Sequence, residues 1–375
     1  MMKPTAIVAG HICLDIFPDM SQCKSEQFQH GITPGHLIFV GAMNFSTGGV
    51  VSNTGLGLWK LGVPTLLMGK IGNDFLGQIV RQYLAQFGSS VSEGILIDPA
   101  TNTSYTIVIS PPNVDRSFLH NPGANDTFDK DDIRYEQLEG AKLFHFGYPP
   151  LMKRMVEEGE TQLPAIFRRS KEKGVITSMD MSFPDPSSSA ARAPWKTILS
   201  ATLPYVDIFL PSIEEILLLL NRPLYDQLFQ QSPHGDILPL INPELLSSLS
   251  QQLLDMGAKI VGFKCGYRGL YLRTADFSSI KALSEVLPIK SEEWAAKELW
   301  EPCFKVNVAG TAGSGDATIA GFLCAILHGF SVEKAAEAAV AVGACCVEAA
   351  DTVSGIRSWE ETLKRIESGW QKLSY

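Results

Sequence analysis

The sequence has little that a nucleic acid, a membrane or a structural metal would use. Its 31 Lys and Arg stand against 40 Asp and Glu, a formal charge of −9, and no run of basic residues stands out. That excludes the basic stripe of a nucleic-acid binder; an anionic ligand must instead be held locally, by backbone amides and a few cations. No stretch reaches the roughly 18 consecutive apolar residues of a membrane span. The N-terminal "MMKPTAIVAGHICLD" has only a short apolar run before Asp15, which reads as a buried strand and not a signal peptide, so a cytoplasmic location is expected. The seven cysteines are odd in number, form no C-x-x-C, and sit largely in apolar runs, as reduced core cysteines do. His11, His36, His120 and His145 lack metal-ligand spacing, and His145 in "KLFHFG" reads as a satisfied core histidine. The Walker pattern G-x-x-x-x-G-K-[ST] is missing. No internal repeat or low-complexity tract occurs.

What remains is an ordinary globular composition, 45% hydrophobic and 19% charged over 375 residues, enough to bury a large core. The runs "TAIVAG", "TLLMGKIG", "AKLFHFG", "GVITSMD", "VDIFLP" and "AKIVGFKCG" are apolar throughout and end in Gly, Pro or Asp, the pattern of strands buried on both faces. Helical patterns over 74–87, 163–173 and 243–256 lie between them. This alternation predicts an α/β domain, a mainly parallel sheet with helices on both faces, and ligands at the carboxyl ends of its strands. Two regions break the rhythm. Residues 16–46 are polar and suit a flap, and 103–121 read as two strands about a Pro-Pro-Asn turn, together a small lid. Within that turn region Arg116 reads first as a solvated loop charge. The polar segments 221–242 and 276–302 are expected to be surface insertions.

Two stretches invite chemistry. In "STGGVVSNTGLGLWKLGVPTLLMGKIGNDFLG", Gly48 and Gly49 let a backbone turn approach a ligand. Asn53 can cap the following helix or bond a hydroxyl, and Gly69, Gly72, Asp74 and Gly77 form a second turn into a helix. In "NVAGTAGSGDATIAGFLCAIL", a glycine-rich turn opens a helix near Asp316. The amides of Gly313, Ser314 and Gly315 are then expected to stay free at a helix N-terminus, an anion hole reinforced by the macrodipole. A carboxylate beside such a hole is suited to accept a proton from a hydroxyl attacking phosphorus. The competing reading is that Asp316 merely caps its helix.

With "GGVVSN", "GKIGNDFLG", "PSIEE" and "GTAGSGD" in this order along nearly the whole chain, the sequence resembles the ribokinase-like, or PfkB, carbohydrate kinases. The resemblance implies a single three-layer α/β/α domain over residues 1–375 with a small β lid, and an ATP-dependent, Mg2+-requiring kinase of a small sugar. It assigns Asp316 as the base, with Gly313, Ser314 and Gly315 as the anion hole. Asp15, Gly48, Gly49 and Asn53 are assigned to the sugar, Glu215 to Mg2+ and its waters, and Lys264, Gly266 and Gly269 to the loop flanking the nucleotide phosphates. Lid-to-lid homodimers are common among relatives.

The sequence departs from the pattern at Gly310, where relatives carry an acid linked to a monovalent cation site, and at Ser212, where N-x-x-E has Asn. Ser182 and Pro184 also stand where D-x-N-x-R has Asn and Arg. Potassium activation is therefore not carried over. A nucleoside or sugar-phosphate kinase on the same fold, or a non-catalytic sugar sensor, remains an alternative.

Overall fold

The computed structural model describes residues 3–24, 28, 35–112 and 117–374. In chain order the strands are β1 (Ala6–Gly10), β2 (Cys13–Pro18), β3 (Met43–Gly48), β4 (Thr65–Met68), β5 (Lys70–Gly72), β6 (Leu96–Asp98), β7 (Tyr105–Ile109), β8 (Ser117–Asn121), β9 (Leu143–Gly147), β10 (Ile176–Met179), β11 (Ile208–Phe209), β12 (Ile260–Lys264), β13 (Leu270–Thr274) and β14 (Glu298–Glu301).

Eight of them build one sheet in the order β14-β13-β12-β11-β10-β9-β1-β4. From β4 to β12 every pairing is parallel, and β13 and β14 close the far edge antiparallel. Two apolar cores flank the sheet, and β1 shows why: Ala6 and Val8 enter one core, Ile7 and Ala9 the other, as the two-residue period of a strand requires. Helices Val50–Lys60, Ser314–Leu327 and Val332–Cys346 contribute to the first core. Gly159–Lys171, Trp195–Thr202, Ile213–Leu220 and Pro243–Asp255 contribute to the second.

From β1 the chain passes to β4 on one side, and later returns to β9 on the other before running outward through β10, β11 and β12. The direction of winding reverses between β1 and β9. A crevice opens at such a point because the connections leave in opposite directions. It is bounded here by Gly10–His11 and Gly147–Tyr148. The second sheet, in the order β3-β2-β7-β8, stands over this crevice. Its strands β7 and β8 fall within 103–121, where two strands were expected; the ends of the expected flap over 16–46 belong to strands β2 and β3, and residues 25–27 and 29–34 of it lie outside the described residues. Of the lid residues singled out in the sequence, Arg116 and Asn113 lie outside the described residues.

Several expectations are corrected. "TLLMGKIG" is two strands in different sheets, split at Gly69, where a side chain would strike Ile12. Segment 276–302 is no surface insertion. It carries Trp294, fully buried against Phe322, and supplies β14, the edge of the main sheet. Segment 221–242 likewise buries Ile237, Leu238 and Ile241. The helix expected from residue 163 begins at Gly159 and carries Pro164 inside it. His145 is only half satisfied: Nδ1 meets Ser178 Oγ at 2.9 Å, and Nε2 has no partner among the described residues. All seven cysteines are free, and six are buried.

Candidate active site

The helix Ser314–Leu327 begins two residues before Asp316, with Gly313 as its N-cap in the left-handed region at φ 72°. A side chain at Gly313 would also lie 2.7 Å from Thr352 Cβ, so glycine is required twice over. Gly313 and Gly315 donate their amides to no described residue, whereas the Ser314 amide reaches Thr311 O at 3.3 Å. Of the three amides expected to form a hole, two therefore have no acceptor among the described residues and the third is partly engaged.

Asp316 does not cap its helix. Its carboxylate, 3% exposed, takes three side-chain donors from elsewhere: Asn53 Nδ2 at 3.0 Å and Tyr148 Oη at 2.7 Å on Oδ2, and Thr54 Oγ1 at 3.2 Å on Oδ1. Asn53 and Thr54 lie in the first half of the helix Val50–Lys60, which packs lengthwise on the Asp316 helix with Gly57 against Ala320. Asn53 therefore does not cap its helix, where Gly49 is the N-cap. Tyr148 follows β9 in the left-handed region at φ 65°, one of three described non-glycine residues with positive φ. Burial first, then Asp316, pushes its phenol well above its usual range, so it remains a donor. Thr54 and Tyr148 escaped the sequence reading. The signal for Tyr148 was the Gly147-Tyr148-Pro149-Pro150 punctuation after a buried strand.

Two cavities meet at this turn. One, of about 630 Å³, lies under the second sheet and includes His11, Asp15, Gly49, Thr106, His120, Tyr148, Ala312 and Thr352 in its walls. The other, of about 360 Å³, is lined by Lys264, Gly266, Tyr267, Gly269, Phe304, Val308, Thr311, Ser314, Gly315 and Leu373. Asp15 faces the first cavity from β2. Burial raises its pKa to about 6, against lesser opposing bonds from Cys13 and Thr106. Gly48 leaves it room, since a Cβ there would lie 2.2 Å from its Oδ2. Gly49, at φ 83°, abuts His11 in the same way. Gly266 and Gly269, at φ 51° and 97°, shape the turn into β13 that borders the second cavity. A separate surface groove of about 830 Å³, near Lys3 and Trp59, lies at the amino ends of β1 and β4 and touches none of these groups.

Lys264, at the end of β12, does more than flank a loop. Its Nζ pairs with Asp180 Oδ1 at 2.6 Å, and a Cβ on Gly315 would stand 3.7 Å from the same Nζ. Burial alone would discharge it, but Asp180 and then Glu215 outweigh that and raise its pKa. Asp180 is 1% exposed, and its Oδ2 has no partner among the described residues. Glu215 forms a capping box with Ser212, receiving the Ser212 amide on Oε2 at 2.7 Å. Ser212 thus works as a helix cap where Asn was expected. Glu215 Oε1 accepts from no described residue. No group of three or more metal-ligating side chains occurs among the described residues. One carboxylate oxygen on Glu215 and an orphaned one on Asp180 nevertheless suit Mg2+, which keeps several waters and leans on phosphate oxygens. Gly310 offers a cation no carboxylate; its amide reaches Val347 O at 3.2 Å.

The fold is that of the ribokinase-like kinases, and residues 13–359 match the model of the pfkB family carbohydrate kinases. The chain belongs to that family, whose members are phosphotransferases with an alcohol group as acceptor. It is 25% identical over 352 residues to probable fructokinase-6, chloroplastic, of Arabidopsis thaliana, covering 92% of this chain and 76% of that one. Among solved structures it resembles Arabidopsis thaliana ribokinase complexed with ribose and ATP, with TM-score 0.70, 19% identity, and coverage of 97% and 98% of the two chains. It equally resembles a putative ribokinase II from E. coli in complex with ATP and Mg2+, with TM-score 0.70, 20% identity, and coverage of 97% and 99%. No helix among the described residues is long and apolar enough to cross a membrane.

Proposed function

We propose that this sugar kinase transfers the γ-phosphoryl group of ATP to a hydroxymethyl group of a small sugar, with Asp316 as general base. The observation that carries the reading is the buried carboxylate of Asp316, held by three side chains in the first turn of a helix that it leaves uncapped; of the residues just before it, Ala312 lines one cavity and Thr311, Ser314 and Gly315 line the other. The sugar occupies the cavity lined by Asp15 and Gly49, with Gly48 behind the Asp15 carboxylate, and ATP the one lined by Lys264, Gly266 and Gly269. The hydroxymethyl oxygen forms its bond to the γ-phosphorus as the bond to the β–γ bridging oxygen breaks. ADP leaves with that electron pair, and Asp316 takes the hydroxyl proton. The Gly313 and Gly315 amides, assisted by Ser314 and the helix dipole, stabilise charge on the transferring group. Lys264 adds a fixed positive charge beside them. When bound, Mg2+ held through Glu215 and Asp180 would neutralise charge on the phosphates. Asn53, assigned to the sugar on the sequence, is buried, lines neither cavity and bonds Asp316, so its role here is to position the base.

Asp316→Asn is expected to keep sugar binding, measured by calorimetry, while turnover falls by about 10²–10⁴, the usual contribution of a general base. Near-normal ADP release in that variant would sink the assignment. A sensor without catalysis would instead bind sugar and show no turnover in the wild type.

A further inference from the structure

The cavity beside Asp316 carries a pattern that phosphoryl transfer does not need. Its described walls hold the carboxylates of Asp15, Asp19 and Asp351, two imidazoles, a phenol and several hydroxyls, and no Lys or Arg. The less expected member is His11. It is 2% exposed, and neither ring nitrogen has a partner among the described residues. Leaving a buried polar group unmade costs stability, so a chain that keeps two such atoms in a ligand cavity is offering them to something.

The backbone fixes where that offer is made. His11 follows β1 at the point where the sheet reverses its winding, and its carbonyl receives the Val51 amide at 3.2 Å. Gly49 gives the ring its place, for a Cβ there would lie 2.6 Å from His11 Nδ1. The ring centroid stands 5.5 Å from that of His120 and 6.0 Å from that of Tyr148, which bonds the proposed base. His11 is therefore one ring away from Asp316, on the sugar side. Burial, and secondarily His120, lowers its pKa to about 3, so the imidazole is neutral in the working range. A neutral imidazole offers one donor and one acceptor, the complement of a hydroxyl, which is also both. A phosphate or carboxylate cannot use the acceptor and would face three acids without a described cation.

We propose that His11 reads a hydroxyl of the acceptor, and that with the acidic cavity walls it confines the substrate to uncharged sugars, against sugar phosphates and sugar acids. The proposal rests on the sugar-kinase reading of this cavity and assigns it a substrate class. His11 is a specificity residue here and takes no proton in the transfer.

The test uses the full chain with ribose, fructose, fructose 6-phosphate and gluconate, following ADP release. A neutral sugar is expected to exceed both anionic compounds in kcat/KM by at least about a hundredfold, in line with polar sites that reject a mismatched substrate. His11→Phe keeps a ring but removes both polar atoms. It is expected to raise the KM of the best neutral sugar about tenfold, with kcat within about threefold and the KM for ATP unchanged. His11→Asn, which retains a donor and an acceptor, is expected to recover most of that loss. Preferred turnover of fructose 6-phosphate or gluconate overturns the proposal, as does an unchanged sugar KM in a His11→Phe protein that melts like the wild type. If His11→Phe does not fold, the His11→Asn protein decides: a sugar KM unchanged from wild type supports a hydroxyl contact, and a KM raised as far as expected for Phe overturns it. If no sugar is turned over, calorimetric Kd replaces KM. Fructose binding that weakens tenfold in His11→Phe then supports the assignment while the kinase reading fails, and absence of binding by every sugar overturns both.

Discussion

Asp15 couples function to stability at a single side chain. An unfolded aspartate titrates near 3.9, as a general value, whereas burial in β2 raises this one to about 6. Between those values the native state binds more protons than the unfolded chain. Stability therefore falls as pH rises through the window, and the full penalty, on the order of 2 kcal/mol after allowing for exposure to the cavity, is present above pH 6. Asp15→Asn is expected to raise the melting temperature at pH 8 and to leave it nearly unchanged at pH 4. If the carboxylate accepts sugar hydroxyls, the same variant weakens sugar binding, and the wild-type sugar KM climbs as pH drops below about 6. A flat KM from pH 5 to 8 would remove Asp15 from the sugar. At this scale the sequence singled out Asp15 and Asp316, which the structure places inside β2 and in the first turn of a helix. It did not find Tyr148, Thr54 or the orphaned His11, because a hydrogen bond between residues 168 or 262 positions apart leaves no local pattern.

At the scale of elements, backbone geometry separates glycines that serve the site from those that serve the turn. Gly48→Ala puts a Cβ 2.2 Å from Asp15 Oδ2, so it is expected to displace that carboxylate and raise the sugar KM tenfold or more while the KM for ATP holds. An unchanged sugar KM would mean that β3 can shift away. The capping box at Ser212 makes a different prediction. Ser212→Ala removes the acceptor for the Glu215 amide and is expected to cost about 1 kcal/mol by denaturant unfolding. If Glu215 serves Mg2+, its loosened carboxylate also raises the Mg2+ concentration needed for half-maximal activity. The helices over 74–87 and 243–256 were legible to within a residue or two, as Phe75–Ala85 and Pro243–Asp255. Strand β14 was not, since "ELWE" is four residues with an acid at each end and no period-2 alternation, and it becomes a strand only by pairing with β13.

For the whole molecule, the second sheet has a face that the described residues leave uncovered. Asn44 and Ser46 of β3 and His120 of β8 line the cavity, while the alternating Met43, Phe45 and Leu119 are 52%, 42% and 56% exposed. Apolar side chains grouped on one sheet face, with β3 and β8 as open edges, favour pairing with another copy. The expected outcome is a homodimer by analytical ultracentrifugation, which Phe45→Glu with Leu119→Glu converts to a monomer. A wild-type monomer across the micromolar range would dismiss that pairing.

The sequence by itself determined the class of fold, the order of the motifs and the position of the glycine turn before Asp316. All of these are local: strand and helix periods, and the backbone freedom that a tight turn demands, are written in adjacent residues. Only the tertiary structure decided what holds Asp316, which face of Lys264 meets Asp180, that Ser212 caps the helix carrying Glu215, and that His11 is buried without a partner. Those depend on which elements the sheet's reversal brings together, and a free energy of contact between residues distant in the chain is set by packing, which no short stretch encodes. The glycine at position 310 belongs to both accounts: the sequence marked it as a missing acid, and the structure fills its place with a backbone bond to Val347.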